Sequence, residues 1–379
     1  MAMPQSEPRR ALTAVRGLAA LWVAIYHFRE ALPGGTPAFI FSFISRGYLA
    51  VDLFFVLSGF VIATNYAAWF AGGSFSVAAY GRFLALRLSR IYPLHLFMLL
   101  LFLINPLAVY LFSSHGDFGD PQIAYYLLSI VLMQCWGIVG GLTWNVPAWS
   151  ISTEWFAYLA FPLLAIWALR ITTGVARTIA YTVALFALLA LAAATIGQGG
   201  LGDTQQLFSL VRCVLEFAAG IGVWRLVEAR PPAGGRAVGA LIFAAACFAG
   251  FALLPVPDYA VMPIGFAAVV YGLSSEDGRL AGWLHASALQ WLGLVSYSVY
   301  MSHYFIKIWT KFLLVVPGVP HALPFPAYIV AILVASGLLY QFVERPSQRW
   351  VRARLIPGRR QAEPVGALPR PARWPSPGS

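Results

Sequence analysis

The chain has 379 residues, of which 60% are hydrophobic, 15% aromatic and only 10% charged. An average soluble domain carries about 25% charged residues, and a mean hydropathy of +0.75 points equally far from that norm. These values exclude a soluble enzyme, a disordered chain and a secreted disulfide scaffold. The predicted fold class is all-α, a polytopic membrane helical bundle. Cys135, Cys213 and Cys247 stand in apolar runs without a C-x-x-C spacing, so no metal site and no disulfide framework is expected. On so apolar a chain the net charge of +11 reads as membrane topology, and no nucleic-acid partner is implied.

A membrane-spanning helix takes about 20 mostly apolar residues. In chain order this predicts ten spans, at 11–29, 46–67, 90–112, 148–169, 177–196, 207–226, 237–254, 258–275, 289–313 and 325–343. An eleventh apolar run, 122–139, lies between Asp117, Asp120 and Pro121 on one side and Gly140-Gly141 on the other. Positive charge collects on the cytoplasmic side of membrane proteins. Ten spans put 20 of the 25 Lys and Arg residues there, together with both termini, whereas eleven spans leave 9 inside against 16 outside. Ten is the better reading, with 122–139 re-entrant or interfacial, or a span whose neighbour is misjudged.

Arg9 and Arg10 precede the first span as in a signal peptide, but Arg16 and His27 inside it argue for an uncleaved anchor. Residues 1–355 are expected to form the membrane domain. Residues 356–379, rich in Pro and Arg, are expected to be a disordered cytoplasmic tail against the anionic leaflet.

Ionisable groups inside a bilayer are costly and mark candidate sites. Arg16 and His27 are 11 residues apart, a spacing that returns to the same helix face within about 20° after a rise of about 16 Å. A fixed cation thus stands at one end of the first span and a titratable base at the other. An interfacial Arg and a satisfied core His would give the same spacing. Arg82, Arg87 and Arg90 precede the third span; such a cluster serves as topology signal and equally suits bidentate recognition of phosphates. Asp52 and Glu154 each lie just inside a span at its predicted outer end, level with His27, where either could orient the imidazole or meet a sugar hydroxyl; a buried carboxylate paired to an Arg is the structural alternative. Ser58 follows Asp52 on the second span. His303, deep in the ninth span, reads more as a packing histidine, as does His95, while His115, His285 and His321 fall in loops. The rival reading of this pattern is a transporter or flippase for a lipid-linked sugar.

Six stretches together resemble the acyltransferase-3 family of integral-membrane O-acyltransferases. Leu12-Thr13-Ala14-Val15-Arg16 through His27 is similar to its Arg-x10-His first helix, and Val51-Asp52-Leu53-Phe54-Phe55-Val56-Leu57-Ser58-Gly59-Phe60 to its second signature. Arg87-Leu88-Ser89-Arg90-Ile91-Tyr92-Pro93, Trp149-Ser150-Ile151-Ser152-Thr153-Glu154, Leu292 through His303, and Glu344-Arg345-Pro346 follow in the family's order. Thr13 departs from the Asp that members commonly carry there, and the appended SGNH hydrolase-like domain of some members is missing.

The resemblance implies an enzyme that takes an acyl group, acetyl by default, from cytoplasmic acyl-CoA to a hydroxyl of a cell-surface glycan; a bias to Ala, Arg, Gly and Pro over Lys suggests a GC-rich bacterium, with the inner membrane as its location. Acyl-CoA would be a co-substrate, and no bound cofactor or metal is implied. Arg16, Arg87 and Arg90 would hold the acyl donor. His27 would be the catalytic base, with its tautomer set by Glu154 or Asp52; Ser58 and His303 are further candidates. Direct transfer and an acyl-histidine intermediate both fit.

Overall fold

The structure, a computed structural model, describes residues 9–71, 76–112, 122–203, 206–276 and 278–355. The tail at 356–379 and the loop histidine His115 lie outside the described residues. Among the described residues the chain forms fifteen α-helices and no strand. They are α1 (Arg10–His27), α2 (Ala38–Ser45), α3 (Ala50–Tyr66), α4 (Val77–Leu101) and α5 (Ile104–Phe112). Next come α6 (Ile123–Ile130), α7 (Trp149–Ile171), α8 (Val175–Thr195), α9 (Gln206–Ala229) and α10 (Gly235–Leu253). The last five are α11 (Asp258–Leu273), α12 (Gly278–Leu284), α13 (Ser287–Leu314), α14 (Pro324–Leu339) and α15 (Arg345–Leu355), with a π turn at Tyr340–Glu344 joining the final two.

Seven helical stretches, on α3, α4, α7, α8, α9, α10 and α14, are long and apolar enough to cross a membrane. The chain is a multi-pass membrane protein. The other three predicted spans fall on α1 and α13, which carry charges, and on α11, which has 16 residues. The interior of the bundle is the pair α3–α9, with 72% and 78% of their apolar windows buried, against 11% for the peripheral α10.

One sequence expectation shifts and another holds. The third span starts earlier than residue 90, because Ser76 caps α4 by accepting from the Ala79 N–H at 3.3 Å. Arg82, Arg87 and Arg90 are therefore helical residues, and the remainder of 90–112 continues as α5. Within 122–139 the only α-helix is α6, eight residues long. It rises about 12 Å, against about 30 Å of hydrocarbon, and ends in a turn where Leu132 has φ +60°. That segment does not cross as a helix.

With lipid on the outside, helices associate by close packing more than by hydrophobic burial, and small residues permit it. At the crossing of α1 and α13 a Cβ on Gly17 would stand 2.6 Å from the Gly293 nitrogen. At α3–α9 a Cβ on Gly59 or Gly220 would overlap the Phe217 or Val56 carbonyl. The start of α1 is fastened from afar, as the Ala11 N–H donates to both Glu276 oxygens at 3.1 and 3.3 Å. A carboxylate there also opposes the positive end of the helix dipole.

The α3–α9 contact yields a direct test. Gly220→Ala should lower the melting temperature in detergent, with a cost of about 1–3 kcal/mol from overpacking. Gly239→Ala on α10, whose Cβ would meet nothing within 4 Å, should leave melting unchanged. Equal melting of the two variants would contradict the close approach.

Candidate active site

Helix α13 organises both ends of α1. At one end, Arg16 donates from Nε to Ser296 Oγ at 3.1 Å and from Nη2 to the Gly293 carbonyl at 2.9 Å. Thr13, which stands where members of the resembled family commonly carry an Asp, donates to the Arg9 carbonyl. Arg16 is thus held by α13 rather than by its own helix. The same stretch of α13 receives two further elements. Tyr297 donates to the Ile91 carbonyl of α4, and Ser298 donates to Glu344 at 2.9 Å. Glu344, buried in the π turn, forms an ion pair with Arg90.

The three candidate arginines are not equivalent. Arg90 is committed to Glu344. Arg87 donates to the Tyr66 hydroxyl at 2.7 Å and stacks on that ring, while its Nε is buried with no hydrogen-bond partner among the described residues. A buried cationic donor without an acceptor is poised for an anion.

At the other end of α1 the His27 and His303 rings meet with centroids 4.9 Å apart. His303 Nδ1 lies 2.6 Å from the Tyr300 carbonyl, and its Nε2 lies 3.3 Å from His27 Nδ1. His27 Nδ1 also lies 3.0 Å from the Val23 carbonyl. A carbonyl only accepts, so each Nδ1 carries the hydrogen in the neutral pair. His303 Nε2 then accepts from His27 Nδ1–H, and the lone pair of His27 is left on Nε2. The Val23 carbonyl thus sets the tautomer of the candidate base, and a histidine read as packing accepts from the same Nδ1–H.

Neither carboxylate expected in that role reaches His27. Asp52 is bound by Arg212 through two hydrogen bonds of 2.7 Å, and the two side chains are 0% and 1% exposed. Glu216 stands 4.0 Å from the same guanidinium. Glu154 accepts from Ser58 and from Tyr158, both at 2.5 Å. Ser58 lies six residues beyond Asp52, about 9 Å further along α3, toward the end where Tyr66 meets Arg87. Glu154 therefore sits between the two clusters rather than level with His27.

The Trp149–Glu154 stretch works as a fastener. Ser150 Oγ and the Tyr300 hydroxyl of α13 are 2.7 Å apart. Ser152 donates to the Leu132 carbonyl and accepts from the Cys135 N–H, which ties the turn after α6 to α7. The remaining histidines act elsewhere: His95 is buried against the Ser129 carbonyl, and His285 pairs with Glu276 at 2.7 Å. Tyr158 was legible as the i+4 neighbour of Glu154. The His27–His303 contact was not, since its partners are 276 residues apart.

Among the described residues no group of three His, Cys, Asp or Glu side chains is placed to hold a metal ion. The arrangement offers two separated chemistries. One end of α1 carries guanidiniums that suit phosphate, and the other carries an imidazole with an open nitrogen that suits proton transfer.

Comparison with known proteins identifies the family. A family profile described as an acyltransferase domain matches residues 9–341. The chain is 28% identical to the acyltransferase MdmB of Streptomyces mycarofaciens, over 95% of each chain. It is also 28% identical to a putative membrane-bound transacylase, BcsY of Komagataeibacter xylinus, over 89% of this chain and 82% of that protein. The exopolysaccharide production protein ExoZ of Rhizobium meliloti is again 28% identical, over 82% of this chain and 92% of that one. No solved structure matches. An acyl-transferring enzyme, the chain belongs to the acyltransferase-3 family of membrane proteins.

Proposed function

We propose that the protein transfers an acetyl group from acetyl-CoA, bound at the cytoplasmic face, to a hydroxyl of a glycan at the far side of a bacterial inner membrane. The observation that carries this reading is the pair of contacts at His27 Nδ1, to the Val23 carbonyl and to His303, which leaves the Nε2 lone pair open among the described residues. Family membership and relatives named for exopolysaccharide production and transacylation support an acyl acceptor of glycan type.

Arg87 and Arg16 would take the phosphates of CoA, with Arg90 holding the π turn in place through Glu344. The pantetheine arm would run along α1 and bring its thioester toward His27. His27 Nε2 would take the proton of the acceptor hydroxyl as its oxygen attacks the thioester carbonyl. The C–S bond then breaks, and the departing thiolate recovers that proton from Nε2, leaving an ester and free CoA. An imidazole is well matched to this shuttle at neutral pH. The transporter reading has no use for the open Nε2.

Four outcomes test the proposal. His27→Ala should cut acetyl transfer by about 10²–10⁴-fold while the protein inserts normally, measured as alkali-labile acetate on glycans of complemented cells. Undiminished transfer would remove His27 from the chemistry. Arg87→Ala should raise the KM for acetyl-CoA by about tenfold, as expected for a lost charge-assisted hydrogen bond, and Lys at that position should restore it only in part. Arg90→Ala should instead lower folded yield, because Glu344 is left buried without its cation. Reporter fusions after Arg177, Arg236 and Arg352 should all read cytoplasmic; an external reading at Arg352 would overturn the even number of spans.

A further inference from the structure

An open cleft of about 470 Å³ lies beside the His27 end of α1, lined by Tyr26, Tyr48, Phe251, Asp203, Asp258 and the Gly199–Gly202 loop. Its volume falls in the ~300–1,000 Å³ range of small-ligand sites. One ring, Tyr26, stands between the cleft and the candidate base: it meets the His27 ring edge-on at 4.9 Å and the Tyr48 ring at 5.8 Å.

The cleft is built by a continuous buried network. Arg212, fixed by Asp52, donates from Nη1 to the Leu201 carbonyl at 2.7 Å. The Leu201 N–H donates to Asp258 at 2.9 Å, and the Tyr48 hydroxyl donates to the same carboxylate at 2.8 Å. Asp258 also accepts from the Tyr259 N–H. Asp258 is thereby occupied with holding the loop and orienting Tyr48. Asp203 is different: it is exposed and accepts from the Gly199 N–H at 3.1 Å through one oxygen.

We propose that this cleft is the acceptor subsite and that it takes a neutral, hydroxyl-rich sugar ring. The proposal rests on the acyl-transfer reading for the purpose of the site, and on the cleft alone for the ligand. The Tyr48 ring, and the faces of Tyr26 and Phe251 not covered by Arg29 and Arg46, supply apolar surface for the C–H faces of a pyranose. Asp203 only accepts, the Tyr48 hydroxyl has acceptor capacity left after donating to Asp258, and the glycine loop carries backbone groups. A ligand whose groups both donate and accept matches that set. Two carboxylates and no Lys or Arg are in the lining. The cations Arg29 and Arg46 are stacked on the Tyr26 and Phe251 rings instead. Among the lining residues themselves, the charged groups a sugar carboxylate would meet are Asp203 and Asp258. Asp52 and Arg212 then act as positioning residues for the acceptor rather than for the base.

The test uses the full chain in lipid nanodiscs without any acyl donor, probed by saturation-transfer difference NMR. The probes are methyl glycosides of glucose, galactose and mannose, with the matching methyl uronosides alongside. A neutral glycoside should show transfer and its uronoside should show several-fold less. Gly202→Leu should abolish the signal, because a Cβ there meets Tyr48 at an ordinary 3.5 Å and the longer side chain extends into the cleft. Asp203→Asn, nearly isosteric, should weaken affinity by about tenfold, the loss of a hydrogen bond to a charged group. No signal from any neutral glycoside, stronger uronoside binding, or a signal untouched in both variants would overturn the proposal. Because the measurement contains no donor, a failure of the His27 mechanism would leave its result intact and separately readable.

Discussion

The contact on which the site depends is the crossing of α1 and α13. Gly17 and Gly293 let the two backbones approach closer than any side chain would permit. Only at that separation can Arg16 reach the Gly293 carbonyl and Ser296. The same helix then delivers His303 to His27 at the opposite end. One pair of helices thus sets the guanidinium and the imidazole at a spacing that neither helix defines alone. In lipid the arrangement is favoured further, since a guanidinium or imidazole left without partners in the hydrocarbon region would be costly.

A second layer of order comes from buried charge. Asp52, Arg212 and Glu216 are nearly free of solvent, and breaking such a group typically costs more than the pair contributes when intact. Its use here is positional. Arg212 joins α3 to α9 and extends one hydrogen bond to the Leu201 carbonyl, so the loop that borders the cleft is tied to the bundle interior. Arg90 and Glu344 do the equivalent at the far end, where the π turn leading to α15 is pinned against α4 and α13. The two ion pairs bracket the site without entering it.

Much of this molecule was readable from residue order. Composition and the spacing of apolar runs identify an all-helical membrane bundle, because a bilayer admits few other solutions for backbone polar groups. The 11-residue step from Arg16 to His27 places both on one helix face whatever surrounds them. Ser76, by contrast, starts α4 well before the apolar run begins, which no hydropathy window reports.

What the sequence by itself determined are properties that live within single helices: the spans, the shared face of Arg16 and His27, and the Glu154–Tyr158 step. Partner choice was decided only by tertiary structure. Asp52 and Glu154 looked interchangeable as neighbours for His27, yet α9 brings Arg212 to one and α3 brings Ser58 to the other. His303 looked like packing until α13 crossed α1. The physical reason is that period and hydropathy specify which way a side chain faces along its own helix, whereas the residue it meets depends on where the backbones cross. Those crossings are set by glycines whose role appears only when two helices are in contact.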